Sequence, residues 1–190
     1  KIIKNYNAPQ VQLYSLNSNH GPSVARNYGL KKAKGKYIFF IDVDDFIELN
    51  TLSVLYNAAK RNSSDFIFCD FKRIQNKKNL RKNIFNYSKN KIFNNYEIKN
   101  AMKKQIHFNN FGHQGIFGIN GRLIKRSIIT KNKVQFEKKL RYLEDETFAW
   151  NLLTFVKKVK YIRKQLYIYN VNPGTSSAVV QGLNRGFPIS

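Results

Sequence analysis

At 190 residues the chain can bury the core of one domain, and its single cysteine, Cys69, excludes an internal disulfide and any cysteine metal cluster. The 34 basic residues against 11 acidic ones give a formal charge of +23, a field that nucleic acid, anionic headgroups and phosphorylated ligands would all feel, so it selects none of them. No apolar run is long enough to span a bilayer, no leader opens the chain, and the one methionine, Met102, makes Lys1 the expected start of a fragment or a processed chain.

In chain order, residues 23–34 read as a helix. Pro22 suits the first turn, Val24, Ala25 and Tyr28 share a face, and Gly35 offers a left-handed stop. Tyr37-Ile-Phe-Phe-Ile41 is an unbroken aromatic and β-branched run, which predicts a strand buried on both faces, as in a parallel sheet covered by helices. A helix over 51–61 follows, capped by Asn50, with Leu52, Leu55, Tyr56 and Ala59 on one stripe. Asp65-Phe-Ile-Phe-Cys-Asp-Phe71 reads as another strand, and this alternation predicts an α/β layer fold.

Residues 72–95 are rich in lysine, arginine and asparagine and read as a surface excursion built on a hairpin. A short helix near 96–106 places Ile98, Ala101 and Met102 on one face, and 107–121, rich in glycine, asparagine and histidine, reads as a loop. Residues 144–157 are helical, with Phe148, Leu152 and Phe155 inward, and Val159–Ile162 and Gln165–Tyr169 are two short strands. From Asn170 the chain loses periodicity.

Asp42, Asp44 and Asp45 stand directly after the apolar run, where an open parallel sheet gathers its ligands. Three carboxylates this close repel one another unless something positive stands among them, and Mg²⁺ or Mn²⁺ meets that need with hard oxygen ligands, water and substrate phosphate. The plainer alternative has one aspartate capping a turn and the others solvated. A helix-loop-helix calcium site is excluded, because Phe46 and Ile47 occupy positions that need an oxygen ligand and a glycine. Glu144-Asp145-Glu146 opens a helix, where acids either complement the macrodipole or raise one another's pKa into the range of a general base. Arg122, Lys125 and Arg126 read as a solvated basic turn, and the loop histidines His107 and His113 are set aside as ligands.

Two stretches at close spacing, Asn19-His-Gly-Pro-Ser-Val-Ala-Arg-Asn-Tyr-Gly29 and Ala33-Lys-Gly-Lys-Tyr-Ile-Phe-Phe-Ile-Asp-Val-Asp-Asp45, together resemble the central signature of glycosyltransferase family 2. Gly121-Arg-Leu-Ile-Lys-Arg126, Tyr142-Leu-Glu-Asp-Glu-Thr-Phe148, Tyr167-Ile-Tyr169 and Gly174-Thr-Ser-Ser177 are similar to its later segments. The resemblance implies a GT-A, Rossmann-like fold: a mostly parallel sheet flanked by helices. It also implies that the first strands are missing, since only Val11-Gln-Leu-Tyr-Ser-Leu16 looks like a strand before the Arg26 helix. Residues 1–71 would then be the rest of the nucleotide-sugar half, 72–106 a basic excursion and short helix, 107–170 the acceptor half and 171–190 an irregular tail. Asn170 and Asn172 depart from the family, which often has arginine there.

The roles implied are equally specific. Asp44 would bind the metal with Asp42; Arg26, Asp42 and Asp45 would meet the donor; Asp145 would be the general base with Glu144 beside it, and Ser176 and Ser177 would close over the diphosphate. The implied reaction is inverting transfer of a sugar from a nucleotide-sugar, a uridine diphosphate sugar, to a glycan or lipid-linked acceptor in surface-polysaccharide or glycoconjugate synthesis. Mn²⁺ or Mg²⁺ would be the cofactor, and the location bacterial and cytoplasmic, peripheral on an anionic membrane face. One rival is a nucleic-acid-binding module using basic 72–95 with Phe85, Tyr87, Phe93 and Tyr96 as stacking surfaces. The other is an inactive remnant serving as an interaction domain.

Overall fold

The computed structural model describes residues 9–75, 78–81, 88–107, 118–140 and 142–170. In chain order these form α1 (Gly21–Lys32), β1 (Tyr37–Phe39), β2 (Phe46–Ile47), α2 (Thr51–Asn62), β3 (Phe66–Gln75), β4 (Lys78–Arg81), β5 (Lys91–Asn94) and α3 (Asn95–His107). There follow β6 (Arg122–Lys125), α4 (Arg126–Lys131), α5 (Glu144–Phe155) and β7 (Lys158–Asn170).

The sheet is organised around β3. Its apolar run Phe66-Ile-Phe-Cys69 is fully buried, and the period-two alternation sends Phe66 and Phe68 to one face, Ile67 and Cys69 to the other. On the first face they meet Ile98 of α3, Phe148 and Leu152 of α5, and Leu30 of α1. On the second they meet Leu55 and Ala59 of α2. Helices on both faces explain why this strand reads as continuously apolar.

The α/β class holds, but the described sheet is mixed rather than mostly parallel. Its order is β1-β6-β3-β7-β2; β3 and β7 run parallel, whereas β1–β6, β3–β6 and β2–β7 are antiparallel. Gln165–Tyr169 and Val159–Ile162 are one strand, β7. Its exposed Arg163-Lys164 pair is skipped in the ladder, where Cys69 faces Ile162 and Asp70 faces Gln165. That interruption broke the sequence pattern without breaking the strand.

Other expectations are corrected by neighbours. Tyr37–Ile41 is covered on both faces but unevenly: Ile38 and Phe40 pack with one core cluster and Tyr37 and Phe39 against the other, yet only Ile38 is buried and Ile41 is 48% exposed, and β1 lies at an end of the described order, paired antiparallel with β6. Val11–Leu16 is in no strand, and Val11, Leu13 and Tyr14 are exposed. In α2 the buried stripe is Thr51, Leu55 and Ala59, while Leu52 and Tyr56 are exposed, Tyr56 lying edge-on to Tyr37 of β1. The Thr51 hydroxyl donates to the Leu166 carbonyl at 2.9 Å, and Asn50 caps through its backbone carbonyl, not its side chain. In α5, Ala149 and Leu153 join Phe148 and Leu152 inside, and Phe155 is exposed. The basic excursion supplies two strands: β4 pairs with β3, and β5 pairs with β7. Among the described residues no helix is long and apolar enough to cross a membrane.

Candidate functional site

Helix α1 places Arg26. Gly21 enters the helix at φ +81, a region that suits glycine, and its N–H is taken by the Asn19 side chain at 2.9 Å. One residue beyond Arg26, the buried Asn27 acts as a substitute strand for residue 136. Its Nδ2 donates to the Phe136 carbonyl at 2.8 Å, and its Oδ1 accepts from the Phe136 N–H at 2.9 Å. The Phe136 ring stacks on Phe148 at 4.0 Å, Phe40 closes edge-on, and the Arg26 guanidinium lies 5.5 Å from the Phe136 centroid.

From that seat Arg26 reaches both acidic motifs. Its Nη2 donates to Asp42 Oδ1 at 3.1 Å, and its Nη1 to Glu144 Oε1 at 2.7 Å, across 118 residues of sequence. The planar fork suits a guanidinium for serving two carboxylates at once. Burial works against the charge on Arg26, but Glu144 and Asp42 outweigh it and hold its pKa above the usual value.

The three aspartates are parted. Asp42 Oδ2 accepts from Asn120 Nδ2 at 2.6 Å, so each of its oxygens has a donor. Asp45 is buried and turned inward, accepting from the Tyr167 hydroxyl and from the Asn170 N–H at 3.0 Å. Burial raises Asp45 to about 6; Tyr167 and Asn170 oppose the rise, and Asp42 and Asp44 add to it. Burial, then the bond to Asp45, raises the Tyr167 phenol. Asp44 makes no hydrogen bond or ion pair among the described residues.

Arg26 and Tyr167 relieve the crowding, and among the described residues no group of three acidic, histidine or cysteine side chains is placed to hold a metal. The donor set does not fit a cage made wholly by protein. It fits a cation held by one or two carboxylates and the phosphates of a ligand, with Asp44 open and Asp42 beside it in the loop. Asp45 is placed to support that loop.

At the other motif, Leu143 sits at φ 60, uncommon for a branched residue, and its carbonyl accepts from the N–H and hydroxyl of Thr147 at 2.9 and 2.8 Å. This turn starts α5 with Glu144, Asp145 and Glu146 in its first turn. Burial, then the charge of Glu144, raises Asp145 above the usual carboxylate range, against the N–H groups at the helix start and Arg26. Burial and Asp145 raise Glu146 likewise.

The basic segment is not a solvated turn. Arg122 is buried, with Nη1 donating to the Asn120 carbonyl at 3.1 Å and its guanidinium 5.5 Å from the Phe68 centroid, and burial lowers its pKa. Lys125 pairs with Asp65 at 3.4 Å, and Arg126 Nε donates to the Gly35 carbonyl at 2.7 Å. His113, Asn172, Ser176 and Ser177 lie outside the described residues, as do Phe85 and Tyr87; Phe93 is buried and Tyr96 exposed. A buried Phe93 removes one of the four surfaces that a stacking row for bases would need. Asn27, Asn120 and Tyr167 carry the site's geometry; Asn27 and Tyr167 stand inside the family-like motifs without an assigned role, and Asn120 stands in none of them. For Asn120 the one local sign was the Asn120-Gly121 pair, a turn dipeptide.

The family model described as Glycosyl transferase family 2 matches residues 1–120. The chain is 32% identical over 154 residues to the poly(ribitol-phosphate) beta-N-acetylglucosaminyltransferase TarP of Staphylococcus aureus, covering 80% of this chain and 42% of that protein. It is 31% identical over 131 residues to a poly(ribitol-phosphate) beta-glucosyltransferase of Bacillus spizizenii, covering 69% and 18%. The solved structure of S. aureus TarS 1-349 in complex with UDP-GlcNAc superposes with a TM-score of 0.74 at 19% identity, covering 93% of this chain and 47% of that one. The chain thus spans less than half the length of each, and the likeness to TarS is one of fold, the expected GT-A architecture.

Proposed function

The chain belongs to glycosyl transferase family 2, and from that premise we propose that it transfers a sugar, with inversion, from a uridine diphosphate sugar to a hydroxyl of an anionic polyol-phosphate polymer of the bacterial surface. One observation carries the reading: Arg26 holds an acid of the donor-side motif and an acid of the acceptor-side motif on one guanidinium. A donor sugar and an attacking hydroxyl need that closeness, because displacement at the anomeric carbon requires both within contact distance.

Residues 1–71 serve the donor and 107–170 the acceptor. Asp145 takes the proton of the acceptor hydroxyl. Its raised pKa suits a base that must let the proton go again; burial raises it most, and Glu144, anchored on Arg26, adds to the rise. Asp44, with Asp42, would hold Mn²⁺ or Mg²⁺. When bound, that cation supplies Lewis-acid stabilisation to the departing diphosphate. Arg26 would meet the charge of the nucleotide, and Asp45 would keep the aspartate loop in place, a role supported by its bonds to Tyr167 and Asn170.

Two further observations support the substrates. TarS, which shares the fold, is solved with UDP-GlcNAc, and two relatives are named for poly(ribitol-phosphate). The charge of +23 suits a polyanionic acceptor and peripheral contact with an anionic membrane face. The test is thermal melting of the protein with UDP. The melting temperature is expected to rise only when Mn²⁺ or Mg²⁺ is present, and Asp44→Ala to abolish the rise. A rise that ignores both metal and Asp44 would refute the metal-assisted reading.

A further inference from the structure

We infer that Asn120 is a positioning residue of the donor site: its amide and Arg26 together lock the plane of the Asp42 carboxylate and leave Asp44 as the open acid. The inference rests on the proposed function for what Asp42 serves, and on geometry alone for how Asp42 is held.

A carboxylate gripped through one oxygen still turns about its terminal bond. Asp42 is gripped through both, by Arg26 Nη2 at 3.1 Å and by Asn120 Nδ2 at 2.6 Å. The two donors come from separate parts of the fold, α1 and the turn that precedes β6. Asn120 is 78 residues from Asp42 in sequence, so the contact is a product of the tertiary fold.

Asn120 is itself fixed. Its carbonyl accepts from the buried Arg122 at 3.1 Å, it forms a parallel bridge with Phe40, and the next N–H, of Gly121, reaches the Phe40 carbonyl at 3.3 Å. Gly121 stands at φ +70, and a Cβ there would come within 2.9 Å of the Tyr167 ring. The hydroxyl of that ring holds Asp45. The dipeptide therefore meets both ends of the aspartate loop, Asp42 through the asparagine amide and Asp45 through the tyrosine.

The amide end in use is unambiguous. Asn120 Oδ1 is shielded from solvent and has no hydrogen bond among the described residues. Turning the amide over would set that oxygen against a carboxylate oxygen and lose the 2.6 Å bond. An asparagine kept only for its turn conformation has no reason to hide an acceptor without a partner.

The experiment uses Asn120→Ala, Asn120→Asp, Asp42→Asn and the exchange pair Asp42→Asn with Asn120→Asp. UDP binding with Mn²⁺ is measured by calorimetry, and unfolding in urea is measured without nucleotide. Asn120→Ala should weaken UDP about tenfold, the loss of one hydrogen bond to a charged group. Asn120→Asp, the same shape with a like charge facing Asp42, should weaken it more, raising the KM for donor and leaving that for acceptor unchanged. In urea the exchange pair should recover part of the stability lost by Asn120→Asp, because an amide again faces a carboxylate.

Wild-type UDP affinity in Asn120→Asp, or strict additivity of the two exchanges in urea, would overturn the inference. If wild-type protein binds no UDP with either metal, the proposed function fails. The urea comparison then still decides whether Asn120 holds Asp42. Should Asn120→Asp not fold, Asn120→Ser and Asp42→Asn supply the same cycle.

Discussion

The aspartate loop and the start of α5 each carry three acids within four or fewer residues, yet the fold treats them differently. In the loop the acids are dispersed: Asp42 to Arg26 and Asn120, Asp45 inward to Tyr167, and Asp44 left open. At α5 they stay together on one helical turn; Glu144 alone takes the Arg26 guanidinium, and the pKa values of Asp145 and Glu146 rise. In both regions burial raises a carboxyl, Asp45 in the loop and Asp145 and Glu146 on the helix; the difference is that the loop leaves Asp44 open while the helix keeps Asp145 and Glu146 beside each other. Equal charge becomes two environments through the placement of Arg26, Asn120 and Tyr167.

Breaking the crowded side is expected to have the largest effect. Asp145→Asn keeps the shape and removes the proposed base, so turnover should fall about a thousandfold, on the order of 4 kcal/mol, with UDP affinity held. Measured turnover close to wild type would move the base elsewhere. In the wild type the acid limb of the pH–rate profile should stand above the usual carboxylate range, as burial and Glu144 dictate.

Next in size is the link between the two regions. Arg26→Ala leaves the half-buried Asp42 and the more deeply set Glu144 without their cation, and should cost about 3 kcal/mol in urea unfolding. Arg26→Lys should recover less than half of that, since a point charge cannot serve two carboxylates along two N–H directions. Full recovery by lysine would show that charge alone, without fork geometry, joins the motifs.

The smallest effect belongs to the dispersed side and appears in pH. Asp45 ionises at about 6 in the folded protein, chiefly through burial, and in the usual lower range when unfolded. Between those values the folded state holds the extra proton, so stability falls as pH rises and the penalty is complete above about 6. Acidification from pH 7.5 to 5.5 should therefore stabilise the protein through this group, on the order of 1 kcal/mol. Asp45→Asn should flatten that part of the stability profile, and an unchanged slope would assign it to other groups.

Much of the fold was legible because it is written in short periods. The turn-spaced apolar residues of α2 and α5, Pro22 in the first turn of α1, and the alternating run of β3 all act within a few residues. What failed depended on a neighbour. The run at β1 is as apolar as β3, but among the described residues it pairs on one side and antiparallel, and no local pattern reveals that. Leu52 and Tyr56 matched the stripe of α2, and only the direction from which β7 approaches chose Thr51 instead. In the site, the acids and Arg26 were readable from their motifs. The roles of Asn27 and Tyr167, both inside the motifs, and of Asn120 were not, because their partners lie 109, 122 and 78 residues away.

By itself the sequence determined the α/β class, the family signature and the acidic and basic residues of its motifs, since these follow from side-chain type and spacing along the backbone. Only the tertiary structure decided which acid stays open, which is paired with a cation and which is raised in pKa. Those outcomes are set by desolvation and by donors arriving from distant segments, and both exist only once the chain has closed on itself.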